Sequence, residues 1–341
     1  MNDKVNVAVV GATGLVGETM IEILEQRDFP VDELVPLASE RSLGKTVQFR
    51  GKSIPVQLLD DHDFSTTPIG LFSAGGSISA EFAPKAAAAG CIVVDNTSHF
   101  RNEPDIPLVV PEVNPHAIAG YKDRGIIANP NCSTIQMLVA LKPIYDKAGI
   151  TRINVATYQA VSGAGRTFME TLASQTASLM NGRDAETGDD TKRIAFNAIP
   201  QIDTFQENGY TREEMKMVWE TRKIFEDDSI EVNPTCVRIP VFYGHSEAVH
   251  IETKEKISAA EVRECLEAAA GVEVIDEREV GGYATPAQES AGQDPVYVSR
   301  IREDISHPNG INLWVVADNV RKGAALNSVQ IAEILVRDYV K

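Results

Sequence analysis

The 341-residue chain lacks several features that would assign it to a specialised class of protein. It contains four cysteines (Cys91, Cys132, Cys236 and Cys265), and no two of them form a CxxC pair. This spacing argues against a disulfide framework and against a zinc site. No run approaches the ~18 apolar residues of a membrane span, and the first residues do not resemble a signal peptide. We therefore expect a cytoplasmic protein with reduced thiols and no metal.

Basic charge is also scarce. The chain has 32 Lys and Arg against 49 Asp and Glu, which gives a formal net charge of -17. Such an excess of negative charge disfavours binding to nucleic acids and to anionic membranes. An anionic substrate would therefore have to be held by local arginines and lysines. The length is sufficient for two domains with buried cores.

Strands and helices alternate in the first 130 residues. The continuous apolar run at 5–10 predicts a strand that is buried on both faces. An amphipathic helix at 18–26 and a strand at 33–38 complete a βαβ unit. The further predicted elements are strands at 69–72, 91–95, 108–110 and 125–128 and a helix at 80–89. Together they predict an α/β, Rossmann-like domain with a parallel sheet.

After residue 132 the pattern becomes that of an α+β domain. The predicted elements here are strands at 152–160, 236–243, 248–254 and 312–317, a helix at 166–180 and a polar loop at 181–192. The last segment, 324–339, is an amphipathic helix that can pack back on the first domain. We therefore predict a nucleotide domain of residues 1–131 plus 319–341 and a second domain of residues 132–318.

A glycine-rich loop follows the first predicted strand. Gly11, Gly14 and Gly17 have the spacing GxxGxxG and precede a helix. Glycines here permit a tight turn and a close approach of backbone N–H groups to a pyrophosphate. The loop predicts a dinucleotide site.

The residues after the second predicted strand bear on the choice of cofactor. Glu40 could bind the ribose 2′-hydroxyl of NAD. Arg41, flanked by Ser39 and Ser42, is suited to the 2′-phosphate of NADP. This segment favours NADP and leaves NAD open.

Cys132 follows an Asn-Pro-Asn turn and begins a predicted helix. The N-terminus of a helix favours a thiolate through its partial positive charge. A thiolate beside a nucleotide site indicates attack on a carbonyl carbon followed by hydride transfer. Among six histidines, His245 is a candidate base in a turn after a strand. Arg238, on that strand, is a candidate clamp for a carboxylate.

The segments 11–17, 98–101, 109–114, 129–134 and 244–246 together resemble the bacterial branch of the aspartate-β-semialdehyde dehydrogenase family. The resemblance covers essentially the whole chain, and the segment Asn-Pro-Asn-Cys-Ser-Thr at 129–134 is its most specific part. It implies the reversible, phosphate-dependent conversion of L-aspartate-4-semialdehyde and NADP to 4-aspartyl phosphate and NADPH. In biosynthesis the reaction runs reductively, toward lysine, threonine, methionine and diaminopimelate.

The resemblance also implies roles for individual residues in the reaction. Cys132 would carry the acyl thioester, and His245 would act as acid and base, taking the thiol proton. Gln159 would orient the intermediate. The implied substrate and phosphate ligands are Arg101 and Lys216 for phosphate, Arg238 for the α-carboxylate and Glu213 for the ammonium group. The adjacent Glu214 leaves that last assignment open.

The resemblance implies a set of cofactor ligands as well. Ser162 and Gly163 would lie beside the nicotinamide, and Asn319 would close the site. The residues implied for the phosphates are Gly11, Thr13, Gly14, Leu15 and Val16 at the pyrophosphate and Arg41 and Ser42 at the 2′-phosphate.

Family resemblance further implies that residues 132–318 form a catalytic and dimerisation domain, in a homodimer or a tetramer. Two other functions remain open. One is N-acetyl-γ-glutamyl-phosphate reductase, which shares the chemistry but usually carries Pro-Gly-Cys where this chain has Pro-Asn-Cys. The other is a nonenzymatic NADP-sensing regulator, which would need neither the thiol nor a phosphate clamp.

Overall fold

The computed structural model describes residues 4–187 and 192–340, which form two compact units. The first contains residues up to 131 together with those from 324 onward, and the second contains residues 132–323. The sequence-based division placed 319–323 in the first domain, whereas these residues lie in the second unit. Asn319 is hydrogen-bonded to Ser162 there, and Gly323 packs against Cys132. No helix in the described ranges is long and apolar enough to cross a membrane.

The first unit is an α/β structure built on a parallel sheet. Its sheet strands are β1 (Val5–Val10), β2 (Val31–Ala38), β5 (Gln57–Leu58), β6 (Ile69–Phe72), β7 (Ile92–Asp95) and β8 (Ile126–Ala128). Their order is β5-β2-β1-β6-β7-β8, and every adjacent pair is parallel. The strands β3 (Thr46–Phe49) and β4 (Lys52–Pro55) form a separate antiparallel hairpin. The helices of this unit are α1 (Leu15–Gln26), α2 (Gly76–Ala88) and α7 (Leu326–Asp338). The predicted Rossmann-like sheet is confirmed.

One predicted strand of this unit is wrong. The segment 108–110 forms a single bridge, between Leu108 and Ala128, instead of a strand. Its apolar residues are nevertheless buried, since Val109 and Val110 have no exposed surface. Hydrophobicity alone therefore indicated burial here, and the hydrogen-bonding pattern of a strand did not follow from it.

The C-terminal helix belongs to the first unit, as its amphipathic pattern predicted. Val329, Ala332 and Leu335 recur on one face of α7 and are completely buried. They join the same hydrophobic core as Val7 and Val9 of β1. Because α7 packs against α1, this end of the chain completes the core of the nucleotide-binding unit.

The second unit is built on a mixed six-stranded sheet. Its strands are β9 (Ile150–Gln159), β10 (Glu231–Arg238), β11 (His245–Thr253), β12 (Val272–Val274), β13 (Val296–Glu303) and β14 (Gly310–Ala317). Their order is β10-β9-β11-β14-β13-β12. The outer pairs β9–β10 and β12–β13 are parallel, and the pairs between them are antiparallel. The helices are α3 (Cys132–Ala148), α4 (Arg166–Met180), α5 (Arg212–Phe225) and α6 (Ala259–Glu267). The α+β character expected after residue 132 is confirmed.

Two boundaries in the second unit differ from expectation. The strand predicted at 236–243 begins earlier and ends at Arg238, where the backbone of Arg238 pairs with Ile199 outside the sheet. Of the predicted loop at 181–192, residues 183–187 form neither helix nor strand, and 188–191 lie outside the described residues. Arg238, the last residue of β10, is buried.

Candidate active site

The backbone geometry of the loop after β1 requires glycine at two positions. Gly11 follows β1 with φ of 85°, a conformation that residues with a side chain rarely adopt. A Cβ on Gly17 would lie 2.2 Å from the carbonyl oxygen of Gly11, so the turn closes only with glycine there. Gly14 is the N-cap of α1, and Leu15 and Val16 form its first turn. The free N–H groups at this helix start are suited to a pyrophosphate.

A cleft of about 640 Å³ lies beside this loop. Thr13 and Gly14 line one side of it, and Arg41, Ser42 and Lys45 line another. The hydroxyl groups of Thr13 and Ser42 are 2.9 Å apart, which connects the loop to the segment after β2. Sequence reasoning missed Lys45, which adds a second cation beside Arg41. These residues fit a dinucleotide that carries a 2′-phosphate.

Arg101 also lies in the first unit and is buried. Its Nη2 donates to the carbonyl oxygen of Asn96 at 3.2 Å. Burial raises the pKa of Asp95 nearby, and hydrogen bonds from Ser79 and Thr97 and the charge of Arg101 partly offset that effect. Arg101 is therefore held at the carboxyl end of β7, and its role toward phosphate stays a prediction.

The turn before Cys132 is anchored to the carboxyl ends of the parallel strands. Asn129 is completely buried, and its backbone N–H donates to Asp95 O at 2.8 Å. Its side chain donates to Asn96 Oδ1 at 2.6 Å and accepts from Asn327 Nδ2 at 2.7 Å. These bonds explain why position 129 of the Asn-Pro-Asn turn is an asparagine, because its side chain belongs to the buried hydrogen-bond network of the first unit.

Cys132 is the first residue of α3, as predicted, and is partly exposed. The segment that contains Gly323 passes so close that a Cβ on Gly323 would lie 2.8 Å from Cys132 Cβ. Cys91 and Cys236 are buried instead, and desolvation raises the pKa of Cys91 to about 12 and raises that of Cys236 as well. Burial therefore disfavours the thiolate form of these two cysteines, whereas Cys132 is partly exposed at a helix N-terminus.

Gln159, the last residue of β9, links the start of α3 to α5. Its Nε2 lies 2.9 Å from Ser133 Oγ and 3.2 Å from Glu213 Oε1. Gln159 is only 1% exposed, so these bonds form away from bulk solvent. The side chain is therefore fixed beside the residue that follows Cys132.

The geometry distinguishes the two adjacent glutamates. Both oxygens of Glu214 make structural bonds: Oε2 accepts from Thr211 N in the capping box of α5, and Oε1 accepts from Cys236 N. Glu213 instead faces Gln159 and pairs with Lys216 at 2.9 Å. Glu213 is thus the better placed of the two for a substrate ammonium group.

Lys216 lies between two carboxylates. Its Nζ is 2.9 Å from Glu213 Oε2 and 2.9 Å from Asp203 Oδ2. Burial acts to lower the pKa of Lys216, but the two carboxylates outweigh it, so the pKa is raised. The ammonium group stays charged and is held in place on α5. Asp203 was not among the residues predicted from the sequence.

Arg238 and His245 are both buried and share Ala160 as a neighbour. Arg238 Nη1 donates to Ala160 O at 2.7 Å, and Ala160 N donates to His245 Nδ1 at 3.0 Å. A Cβ on Gly163 would lie 3.1 Å from Arg238 Nη1 and 3.3 Å from His245 Nε2. Burial lowers the pKa of Arg238, and the negative charges of Glu213 and of a Cys132 thiolate act to raise it. Arg238 is therefore within electrostatic range of both Glu213 and Cys132.

His245 differs from its predicted environment. It is the first residue of β11 and completely buried, rather than a residue of the predicted turn. Desolvation, and then the charge of Arg238, lower its pKa to about 3. The ring is consequently neutral at physiological pH.

The remaining predicted cofactor residues of the second unit form one cluster. Asn319 Nδ2 donates to Ser162 Oγ at 2.9 Å, and Asn319 Oδ1 accepts from Gly244 N at 3.0 Å. Asn319 therefore ties the turn of Ser162 and Gly163 to the residue before His245. Their predicted contacts with nicotinamide stay a prediction.

The sequence analysis did not predict that two polar residues near His245, Glu247 and Gln136, are completely buried. Glu247 lies two residues along the same strand and is completely buried, and neither of its oxygens has a hydrogen-bond partner among the described residues. Desolvation raises its pKa well above the ordinary value, and the neighbouring Gln136 only partly offsets this. Gln136 Nε2 also lies 3.4 Å from His245 O. The sequence pattern around Glu247 gave no indication that this carboxyl group would be buried.

No group of three or more His, Cys, Asp or Glu residues in the described ranges is arranged to bind a metal ion.

A dinucleotide-type unit, followed by a unit with a helix-terminal cysteine and a buried histidine and arginine, defines the semialdehyde dehydrogenase class. Two family models match accordingly. Residues 6–121 match the semialdehyde dehydrogenase NAD binding domain, and residues 141–322 match the semialdehyde dehydrogenase dimerisation domain.

Individual relatives narrow the class. Aspartate-semialdehyde dehydrogenase 2 of Vibrio cholerae is 63% identical over 99% of this chain and 100% of its own length. The crystal structure of aspartate semialdehyde dehydrogenase II from Vibrio cholerae complexed with ASA has a TM-score of 0.97 at 63% identity, covering 99% of both chains. The enzyme from Candida albicans with NADP has a TM-score of 0.75 at 26% identity, covering 98% of both chains. The chain belongs to the aspartate-semialdehyde dehydrogenase family.

Proposed function

We propose that this chain catalyses the reversible, phosphate-dependent oxidation of L-aspartate-4-semialdehyde to 4-aspartyl phosphate with NADP. The observation that carries the proposal is that Cys132, Gln159, Arg238 and His245 belong to one unit and are linked through shared neighbours. An accessible thiol beside buried donors is the arrangement that acyl transfer through a thioester requires. The Vibrio cholerae relative in complex with ASA supports the same substrate.

Each side chain has a part in the reductive direction. The Cys132 thiolate attacks the carbonyl carbon of the acyl phosphate, and phosphate leaves with the electron pair of the broken C–O bond. Gln159, which is fixed by Ser133 and Glu213, orients the acyl group on the sulfur. Bound NADPH supplies the hydride for its reduction. Dividing the substitution into two steps lowers the barrier of each.

Arg238 and Glu213 are suited to the two charged ends of the amino acid. The planar guanidinium of Arg238 can bind the α-carboxylate with two parallel hydrogen bonds. The carboxylate of Glu213 can accept from the α-ammonium group. A free amino group is therefore needed for full binding, and this distinguishes the substrate from N-acetylglutamate semialdehyde.

Phosphate would be bound by Lys216 and Arg101. Lys216 keeps its charge because Glu213 and Asp203 raise its pKa. A phosphate dianion needs such local cations on a chain with a net charge of -17.

The cofactor would be NADP rather than NAD. Arg41 and Lys45 place two cations in the cleft beside Ser42. A 2′-phosphate at this position would gain charge-assisted hydrogen bonds that the 2′-hydroxyl of NAD cannot make. The NADP complex of the Candida albicans relative supports this assignment.

We infer that the residues from 132 onward in the second unit form the catalytic and dimerisation domain, with residues 1–131 and the C-terminal helix as the NADP-binding domain. The match to a dimerisation domain supports a homodimer, with a tetramer as the larger alternative. A cytoplasmic location fits a biosynthetic enzyme with reduced thiols.

The experiment is phosphate-dependent NADP reduction by the purified protein with L-aspartate-4-semialdehyde. N-acetylglutamate semialdehyde and NAD serve as the substrate and cofactor controls. We expect turnover with the free amino acid that requires phosphate. Activity with the acetylated substrate only would assign the chain to the arginine-pathway reductase. NADP binding without turnover on either substrate would indicate the sensor.

C132A tests the thiol separately. We expect turnover to be lost and NADPH affinity, measured by fluorescence titration, to be unchanged. A matched C91A variant removes a buried thiol and should retain activity. Loss of cofactor binding in C132A would indicate a structural role for the cysteine.

A further inference from the structure

A glutamine one helical turn after Cys132 contacts the strand that begins with His245. Gln136 lies in α3 and is completely buried, and its Nε2 donates to the carbonyl oxygen of His245 at 3.4 Å. Residues four positions apart lie on the same side of a helix, so Gln136 is on the side of α3 that carries Cys132. It therefore connects the helix of the thiol with the strand of the histidine.

The amide group of Gln136 is not satisfied by this one hydrogen bond. A primary amide has two N–H hydrogens and one carbonyl oxygen. One hydrogen is directed at His245 O, whereas Gln136 Oε1 is buried and has no hydrogen-bond partner among the described residues. One donor and one acceptor are consequently left over in a buried position, where an unpaired polar group costs free energy.

Glu247 has the complementary hydrogen-bonding capacity. It is completely buried and lies two residues after His245 on the same face of β11, the strand against which α3 packs. Gln136 is close enough to act on the pKa of Glu247, which burial raises well above its ordinary value. The carboxyl group is therefore protonated, with one O–H to donate and one carbonyl oxygen to accept.

An ionised Glu247 would not complete these hydrogen bonds. A carboxylate can only accept, so Gln136 Oε1 would stay without a donor. Glu213, Glu214 and Glu247 all act to raise the pKa of Cys236, so the three carboxyl groups lie in one region. An ionised Glu247 would add a further negative charge there, in a position removed from solvent. The hydrogen bonds and the charges thus both favour the protonated carboxyl group.

We propose that the protonated carboxyl of Glu247 and the amide of Gln136 form a double hydrogen bond that holds the backbone of His245 against α3. The acid O–H donates to Gln136 Oε1, and one amide N–H donates to the carbonyl oxygen of the acid. The second amide hydrogen is then directed at His245 O. Both are positioning residues, because they act on the placement of His245 relative to Cys132. This proposal rests on the function proposed above.

The direct test is infrared spectroscopy of the resting protein at neutral pH. A protonated carboxyl group has a C=O stretching band above the amide band, and hydrogen bonding lowers its frequency. Because the pKa of Asp95 is also raised, each spectrum is compared with that of its E247Q counterpart, which isolates the band of Glu247. We expect this band in the wild type, and at a higher frequency in Q136M, where methionine nearly retains the shape of glutamine. Absence of the band, or an unchanged frequency in Q136M, would overturn the proposal.

Steady-state kinetics test the positioning role with two matched variants of Glu247. E247Q keeps a donor and an acceptor and can form the same double hydrogen bond, whereas E247M has a similar shape and neither group. We expect E247M and Q136M to lower kcat by roughly ten- to a hundredfold at nearly unchanged KM, because a small displacement of reacting groups slows the chemical step. E247Q should retain most of the wild-type kcat. A kcat for E247Q as low as that for E247M would contradict the proposal.

The double variant Q136M/E247M shows whether the two side chains act as a pair. Its kcat should be no lower than that of the slower single variant, because either substitution already removes the double hydrogen bond. Decreases that multiply in the double variant would indicate two independent effects and would contradict the proposal.

Q175M is the control for the loss of a buried glutamine in the same unit. Gln175 donates to Glu186 O and accepts from Ile194 N, and none of these residues belongs to the site described above. We expect lower stability and an unchanged kcat, whereas a fall in kcat like that of Q136M would argue against a specific positioning role. The infrared test does not depend on turnover, so failure of the proposed function in the activity assay is distinguishable from failure of this inference.

Discussion

The strongest test of the electrostatics concerns Glu247, a carboxyl group in the centre of the second unit's sheet. β11 lies between β9 and β14, and Glu247 is paired in register with Thr157 and Val315. It shares a strand face with His245, because alternate residues of a strand point to the same side. Its oxygens have no hydrogen-bond partner that meets the geometric criteria among the described residues, so an ionised Glu247 would be a buried charge that only the neighbouring Gln136 partly compensates.

Glu247 is consequently protonated in the native state, since desolvation raises its pKa well above the ordinary 4.5. The unfolded chain releases this proton above pH 4.5, whereas the native protein retains it. In that window the native state binds one more proton than the unfolded state, so this group makes stability fall as the pH rises. The slope is about 1.4 kcal/mol per pH unit while the native carboxyl stays protonated.

E247Q replaces the protonated carboxyl with a neutral amide of nearly the same shape and removes this slope. Relative to the wild type, the variant should gain about 1.4 kcal/mol of unfolding free energy between pH 5.5 and 6.5. His245 contributes a slope of opposite sign below pH 6.5, because its native pKa is depressed, but it is present in both proteins and cancels in the difference.

The measurement is urea unfolding of both proteins at pH 5.5 and 6.5 and at one fixed protein concentration, because an oligomer's stability depends on it. E252Q, at a partly exposed position on the same strand, is the matched control and should show a much smaller pH-dependent difference. A difference between E247Q and wild type that does not change with pH would refute the reasoning, whatever its sign.

Three further substitutions test the site. R41A should raise the KM for NADPH about tenfold or more, because a charge-assisted hydrogen bond to phosphate contributes about 1.5–3 kcal/mol. The KM for NADH, which lacks the 2′-phosphate, should be nearly unchanged. Equal effects on both cofactors would contradict this prediction. R238K should raise the KM for the semialdehyde because the bidentate fork is lost, and an unchanged KM would argue against a carboxylate contact. G323A should slow alkylation of Cys132, because the added Cβ would lie 2.8 Å from Cys132 Cβ. G120A is the control, since its added Cβ would meet no atom closer than 3.7 Å. Equal alkylation rates in the two variants would show that the close approach has no effect on the thiol.

Local patterns in the sequence were sufficient to predict several elements of the fold. The apolar run at 5–10 and the glycine loop predicted a buried strand and a helix start, and both are present at those positions. Cys132 was predicted at a helix N-terminus, where it lies. The C-terminal helix was recognised from its periodicity. These features depend on neighbours within a few residues, so a single sequence contains the information.

The sequence by itself determined the nucleotide loop, the helix-terminal thiol and the class of fold. Only the tertiary structure decided that Glu213 faces the site while Glu214 caps α5, that Ala160 fixes the ring of His245, and that Glu247 is buried without a partner. The physical reason is that hydrogen-bond direction and desolvation arise from residues distant in the chain. Ala160 and His245 are 85 positions apart, and no local pattern relates them.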